Sequence, residues 1–325
     1  IAVIEKEHIV VKNVDKITLD DRKGAIVKVL GCGLCGSDIV KFREHISKDG
    51  TVLGHEIVAE IVEINSDTKF KTGEKIVTSH HIPCGTCDYC RHGNVSMCKH
   101  FKSTNIRPGG FSEYVYLSEE HLQNVAHPMP ENLSEIEASF YEPLGCCVRA
   151  VKRAKLMDGS KVLVVGLGSI GILMSQALKA YGMNVMGCDL IQDRIERLQN
   201  LGIDAVDSRD LEQAELFEAV FMTSGADKAI DVALKTIKSG GTILVFSSTP
   251  HNTGYPNNEI YYRELTVLGS YSPAPVDLKD SLELLRTGKV NVKDLSTIYS
   301  LDDIQKAFDD TIANRIMKAY IKIKD

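Results

Sequence analysis

The four cysteines of the run CGTCDYCRHGNVSMC, Cys84, Cys87, Cys90 and Cys98, follow the spacing C-x2-C-x2-C-x7-C. A short loop with that spacing can wrap four thiolates round one tetrahedral ion, and zinc is the expected occupant. Tetrathiolate geometry also suits iron, and buried unpaired cysteines are the plain alternative. Three cysteines at three-residue intervals between Pro83 and Gly93 are nevertheless hard to explain as core packing. With sulfur in all four positions the ion has no open site, so its role is structural. A metal that works on substrate needs protein ligands that leave one position free. Candidates for it are scattered: Cys35 in GCGLCGSD, His55 and Glu56 in LGHE, and Glu142 in FYEPLGCC. Taken singly each has an ordinary reading, a glycine-flanked structural residue for the first ones and a helix start before proline for the last.

A third run able to do chemistry is KVLVVGLGSIGILMSQ. GxGxxG alone says little. Here Gly166, Gly168 and Gly171 follow a strand pattern, and Ser169 and Ile170 open a helix, the context in which backbone amides cradle a dinucleotide pyrophosphate. The next strand pattern, NVMGCD, ends on Asp189. A carboxylate there accepts hydrogen bonds from the ribose diol and repels a 2′-phosphate, so NAD is expected over NADP. Arg194, five residues on, reads as a helix-surface charge, although a guanidinium at that place is able to soften the preference.

Two scaffolds are needed to position these groups, and 325 residues are enough for two cores. Residues 1–147 read as short β-branched strands (AIVKVL, EIVAEIVEI, EKIVTS, FSEYVYL) punctuated by turn residues. From 148 to 271 the pattern becomes strand, glycine turn, amphipathic helix and strand, with EAVFMTS, GGTILVFSS and ELTVLGSY as further strands, which predicts an α/β fold with a parallel sheet. Residues 272–325 read as two helices, DLKDSLELLRTG and SLDDIQKAFDDTIAN, and a closing strand, MKAYIKIKD. A net charge of −6 leaves no global basic field, so nucleic acid is not an expected partner. No apolar run is long enough to span a bilayer, and IAVIEKEHIVVKN alternates like a strand rather than a signal peptide. With nine cysteines and no mark of export, a reducing, cytoplasmic setting is expected.

In this order and together, the motifs resemble the medium-chain zinc-dependent alcohol dehydrogenase family, and within it the polyol branch of sorbitol and galactitol-phosphate dehydrogenases. The resemblance runs from GCGLCGSD through LGHE, the cysteine run, GGFSEYV, EPLGCC and the glycine turn to SLDDIQKAFDD. It implies a GroES-like β-rich catalytic domain with its structural zinc lobe at about 84–98, a Rossmann doubly wound parallel sheet, and a C-terminal return to the catalytic domain. Two zinc ions per chain, NAD, and a homodimer or homotetramer come with it. The family's catalytic zinc ligands fall on Cys35, His55 and either Glu56 or Glu142, with Glu142 ranked slightly above Glu56, whose alternative is an ion pair with a nearby arginine. Alcohol dehydrogenases proper carry cysteine at the Glu142 position, and glutamate there points to polyols or sugars. Ser37 matches the family's proton-accepting hydroxyl, against an ordinary turn role. Zinc would act as a Lewis acid, lowering the pKa of a substrate hydroxyl so that hydride can leave towards the nicotinamide.

Two departures narrow the substrate. Many relatives carry a relay histidine where this chain has Val40, so the relay ends at the ribose hydroxyl and water or, less in keeping with their reading as surface residues, is completed by Lys41 or His45; Lys41 near the expected pocket also leaves room for a charged or cyclic substrate. The arginine with which sorbitol dehydrogenases hold polyol hydroxyls is missing from GSYSPAP. The expected substrate is therefore a secondary alcohol of a polyol, cyclitol, sugar or sugar phosphate, with Asn105 and Arg107 of STNIRPGG either bordering its pocket or forming a plain turn. The rivals are a zinc-free quinone or enoyl reductase on the same fold, which would not need Cys35, His55 and Glu142 together, and a non-enzymatic zinc-ribbon binding protein.

Overall fold

The computed structural model describes residues 1–211, 216–248 and 254–323. The chain divides into two compact units, one of Ile1–Pro143, Ala274–Arg286 and the stretch from Val292 onward, the other of Leu144–Pro273 and Thr287–Asn291.

In the first unit the strand Gly24–Gly33 is the hub of a seven-stranded sheet. It pairs antiparallel with Glu56–Asn65 along its length, with Tyr114–Ser118 near its start and with Lys318–Lys322 near its end. Lys75–Thr78 and Ala126–Pro128 extend one side, and Ser296–Ser300 the other. Val27, Val29, Ile57, Ala59 and Ile61 from the paired strands join Phe111, Phe308 and Ile321 in one apolar core. β-Branched side chains suit such pleated, half-buried surfaces, which is why this region reads as strand in the sequence. The short helix Gly36–Arg43 leaves the end of the hub strand immediately after Cys35.

The second unit holds six parallel strands in the order Asp204–Asp207, Asn184–Asp189, Lys161–Val165, Phe217–Met222, Ile237–Val245, Thr266–Gly269. The chain winds outward from Lys161–Val165 first one way and then the other, so the order reverses between that strand and Phe217–Met222. Ligands of such sheets bind outside the carboxyl ends of the strands at this switch point, and GLGSIG begins there, directly after Val165. The helix Ser169–Ala180 starts at Gly168 with no side-chain cap, leaving its first amides available. A Cβ on Gly171 would sit 1.9 Å from the Gly166 carbonyl oxygen, whereas one on Gly168 would meet nothing within 4 Å. One glycine therefore lets helix and strand pack, and the other keeps the turn open. Cys188 is fully buried among apolar side chains, and burial pushes its thiol up to about 12. Among the described residues no helix is long and apolar enough to cross a membrane.

Gly171→Ala should lower the melting temperature by several degrees, from roughly 1–3 kcal/mol of overpacking at about 2–4 °C per kcal/mol. Gly168→Ala should leave it within about 1 °C. Differential scanning calorimetry of the two variants checks this, and equal melting temperatures would contradict the packing assignment.

Candidate active site

Cys35 is the N-cap of Gly36–Arg43, and its sulfur accepts the Ser37 N–H at 3.5 Å and the Ser37 hydroxyl at 3.3 Å. The amides and dipole at a helix start favour a negative sulfur. Asp38 closes the capping box by accepting the Cys35 N–H at 3.3 Å. It is fully buried, also accepts the Gly54 N–H at 3.4 Å, and stands 3.4 Å from His55 Nδ1. Burial alone would raise the Asp38 carboxyl, but His55 beside it holds it below the ordinary value. Burial likewise opposes charge on His55, and the Asp38 carboxylate and Cys35 sulfur outweigh it, so His55 sits well above its ordinary value. A carboxylate on one imidazole nitrogen fixes the ring's orientation and leaves the other nitrogen to ligate. Asp38 thus has a supporting role that its place inside GCGLCGSD did not disclose.

Glu56 is the register partner of Gly33, and Gly33 also pairs with Tyr320 on its other side. A Cβ on Gly33 would lie 2.0 Å from Glu56 Oε2 and 3.1 Å from Lys318 Cε. The missing side chain lets Lys318 Nζ reach Glu56 Oε2 at 2.5 Å, with both side chains almost wholly buried. The expected arginine partner is therefore a lysine, delivered by the closing strand. Burial would depress the Lys318 ammonium, but the Glu56 carboxylate next to it raises it above its ordinary value.

One donor atom each of Cys35, His55 and Glu56 lie within 4.8 Å of one another. His55, His80 and Glu142 form a second such group, so Glu142, in the first turn of Tyr141–Ala154, shares His55 with the first set. His80 did not stand out in the sequence, where TSHHIPC gave only adjacent histidines beside a metal run. Its ring is 4.4 Å from that of His55, and its Nδ1 is a buried atom with no hydrogen-bond partner. Soft and nitrogen donors with buried carboxylates suit zinc, and an orphaned imidazole nitrogen is what a missing ion would leave. Ser37 is exposed beside Cys35, Val40 and Lys41 are half-buried, and Asn105, Arg107 and His45 are exposed.

In the cysteine lobe the sulfurs of Cys84, Cys87, Cys90 and Cys98 are mutually within 4.8 Å, with Cys87–Cys90 at 3.6 Å and Cys84–Cys90 at 4.0 Å. Tetrahedral zinc thiolates require sulfurs about 3.8 Å apart, so the lobe fits the ion. N–H donors of Thr86 and Cys87 lower the Cys84 thiol to about 5, while burial and neighbouring sulfurs raise Cys90 to about 12. Metal uptake must therefore expel protons.

In the second unit the Asp189 carboxylate accepts the N–H groups of Leu167 at 2.6 Å, Leu190 at 2.7 Å and Ile191 at 3.0 Å. Leu167 belongs to the glycine turn, so Asp189 holds that turn in place. Arg194 NH1 is 3.6 Å from Asp189 Oδ2 and only one-fifth exposed, not the free helix-surface charge expected of it. The cradle around Gly166, Gly168, Ser169, Ile170 and Gly171 is half-open, apart from Gly171 at its base, which fits a dinucleotide.

Residues 21–130 match the alcohol dehydrogenase GroES-like domain and residues 169–287 the zinc-binding dehydrogenase domain. Sorbitol dehydrogenase 2 of Saccharomyces cerevisiae is 31% identical over 91% of this chain and 89% of its own length. D-arabitol-phosphate dehydrogenase of Enterococcus avium is 30% identical over 93% of this chain and 90% of its own. The solved structure of an alcohol dehydrogenase from Thermus sp. ATN1 superposes with TM-score 0.86 at 23% identity, covering 99% of both chains. The chain belongs to the medium-chain, zinc-dependent alcohol dehydrogenase family. It is an oxidoreductase of the zinc- and nicotinamide-dependent kind, built on a GroES-like domain and a Rossmann sheet.

Lys318→Met should cost about 3–5 kcal/mol by leaving Glu56 buried without its counter-charge. Adding Glu56→Gln should recover much of that loss. Urea denaturation of the single and double variants reads both, and a near-neutral single variant would show that the pair does not hold the sheet.

Proposed function

We propose that this chain oxidises a secondary alcohol of a polyol, cyclitol, sugar or sugar phosphate with NAD. The observation that carries the reading is the gathering of half-buried Cys35 with buried His55 and Glu56, with Glu142 joined to it through His55. Cys35, His55 and a carboxylate, Glu56 or Glu142, would hold the catalytic zinc, and Cys84, Cys87, Cys90 and Cys98 the structural one. When bound, the catalytic ion supplies Lewis acidity that eases loss of the substrate hydroxyl proton. Ser37 Oγ, hydrogen-bonded to the Cys35 sulfur and exposed, would take that proton and pass it to solvent, since Val40 can carry none. Gly166, Gly168, Ser169, Ile170 and Gly171 would cradle the pyrophosphate, and Asp189 would receive the ribose diol. Arg194 beside Asp189 moderates, without reversing, the exclusion of a 2′-phosphate.

Support for a phosphorylated or otherwise anionic substrate comes from Lys41, a half-buried cation on the same short helix that carries Ser37 and Asp38. The arabitol-phosphate dehydrogenase among the relatives agrees with it. The exposed edge strand Thr266–Gly269, with Tyr261, Tyr262 and Tyr271 exposed nearby, supports edge pairing into a homodimer or homotetramer. Free thiols throughout suit a reducing cytoplasm.

The test is an NAD-reduction screen over polyols, cyclitols, sugar phosphates and simple alcohols, with metal analysis and light scattering on the same protein. Two zincs per chain, turnover of a polyol-like substrate and a preference for NAD are expected. Lys41→Ala should raise KM about tenfold for phosphorylated substrates alone, from loss of one charge interaction of roughly 1.4 kcal/mol. One zinc per chain with better use of NADP would favour the zinc-free reductase instead.

A further inference from the structure

The chemistry above leaves His80 without a task. Antiparallel pairing of Ile57 with Thr78 sets His55 and His80 opposite one another just past the ends of their strands, with ring centroids 4.4 Å apart and planes at 43°. The His80 ring also packs on His81 at 3.9 Å, and His81 on Phe101 at 4.7 Å. Its backbone is anchored as well: His121 Nε2 donates to the His80 carbonyl at 3.1 Å, while Ser118 Oγ donates to His121 Nδ1 at 2.7 Å. A ring so fixed, 8% exposed and with Nδ1 unpartnered, is poorly explained as packing, because an apolar ring would fill the same space without a stranded polar atom. Glu142, 4% exposed, completes the group in which the donor atoms of His55, His80 and Glu142 converge.

We infer that His80 is itself a ligand of the catalytic metal, taking the place of Cys35 when Glu142 ligates, so that either set of three leaves one position free. Two donor sets then pivot on His55: Cys35–His55–Glu56, which carries a thiolate, and His55–His80–Glu142, which contains only nitrogen and oxygen. Glu56 and Glu142 are not rivals for one position in this arrangement, since each belongs to its own set. Lys318 holds Glu56 on the sulfur-containing side, and His80 stands with Glu142 on the other. The inference rests on the reading that Cys35 and His55 form a metal site.

The test uses His80→Phe, which keeps an aromatic ring against His55 and His81 and removes both nitrogens, alongside His80→Gln, which keeps a donor. The zinc-loaded proteins are exposed to a chelator and release is followed from the more labile site, and the visible absorption of cobalt-substituted protein is recorded. His80→Phe should release this metal at least about tenfold faster, by analogy with the 10–100-fold effects of lost ligand-shell contacts. It should also alter the cobalt absorption, with His80→Gln intermediate. An unchanged release rate and spectrum in a His80→Phe protein that keeps the wild-type melting temperature and its cysteine-bound zinc would overturn the inference. Failure of the underlying reading looks different: wild-type protein would then hold a single metal, insensitive to Cys35→Ser, and the inference would fall with it.

Discussion

A carboxylate taken out of water must be answered by a charge or a set of donors, and this requirement organises the first unit. Asp38, Glu56 and Glu142 are 0%, 1% and 4% exposed. Stranding any of them would cost several kcal/mol. Asp38 is answered by His55 and by the N–H groups of Cys35 and Gly54, and Glu56 by Lys318. Meeting these demands requires the hub strand to run between Glu56 and Lys318 with a glycine at the crossing point. A one-residue slip of Glu56–Asn65 would turn the carboxylate to the opposite face and unpair the lysine. Sheet register and site assembly are therefore one constraint.

That constraint explains which parts of the molecule could be read from the sequence. The cysteine lobe is closed by a 15-residue loop, so its geometry follows from spacing. The glycine turn is equally local: strand, turn and helix start are contiguous, and the family's GroES-like and Rossmann folds followed from motifs of this kind. The rest depends on pairing between distant strands. Lys318 comes from the last strand and meets Glu56 only because both flank Gly33, so a nearby arginine was the wrong kind of partner to expect. His80 faces His55 through the antiparallel ladder, a relation that no spacing discloses. Asp38 was hidden for a different reason: an acidic residue three after an N-cap already has a sufficient explanation as a capping box, and here it serves as both cap and histidine support.

The same doubling of roles governs the cofactor side. Asp189 was read as the residue that selects NAD, yet its carboxylate also accepts three backbone N–H groups, one of them from the glycine turn. Replacing it to admit a 2′-phosphate would strand the buried Leu167 N–H, free the more exposed donors of Leu190 and Ile191, and loosen the cradle that would hold the pyrophosphate of either cofactor. Arg194 stands 3.6 Å from Asp189 Oδ2, so the charge that would meet a 2′-phosphate is already engaged with the carboxylate that would repel it. A carboxylate placed to meet the ribose diol is therefore not free to change independently of the turn, because the same side chain holds the backbone that would meet the pyrophosphate.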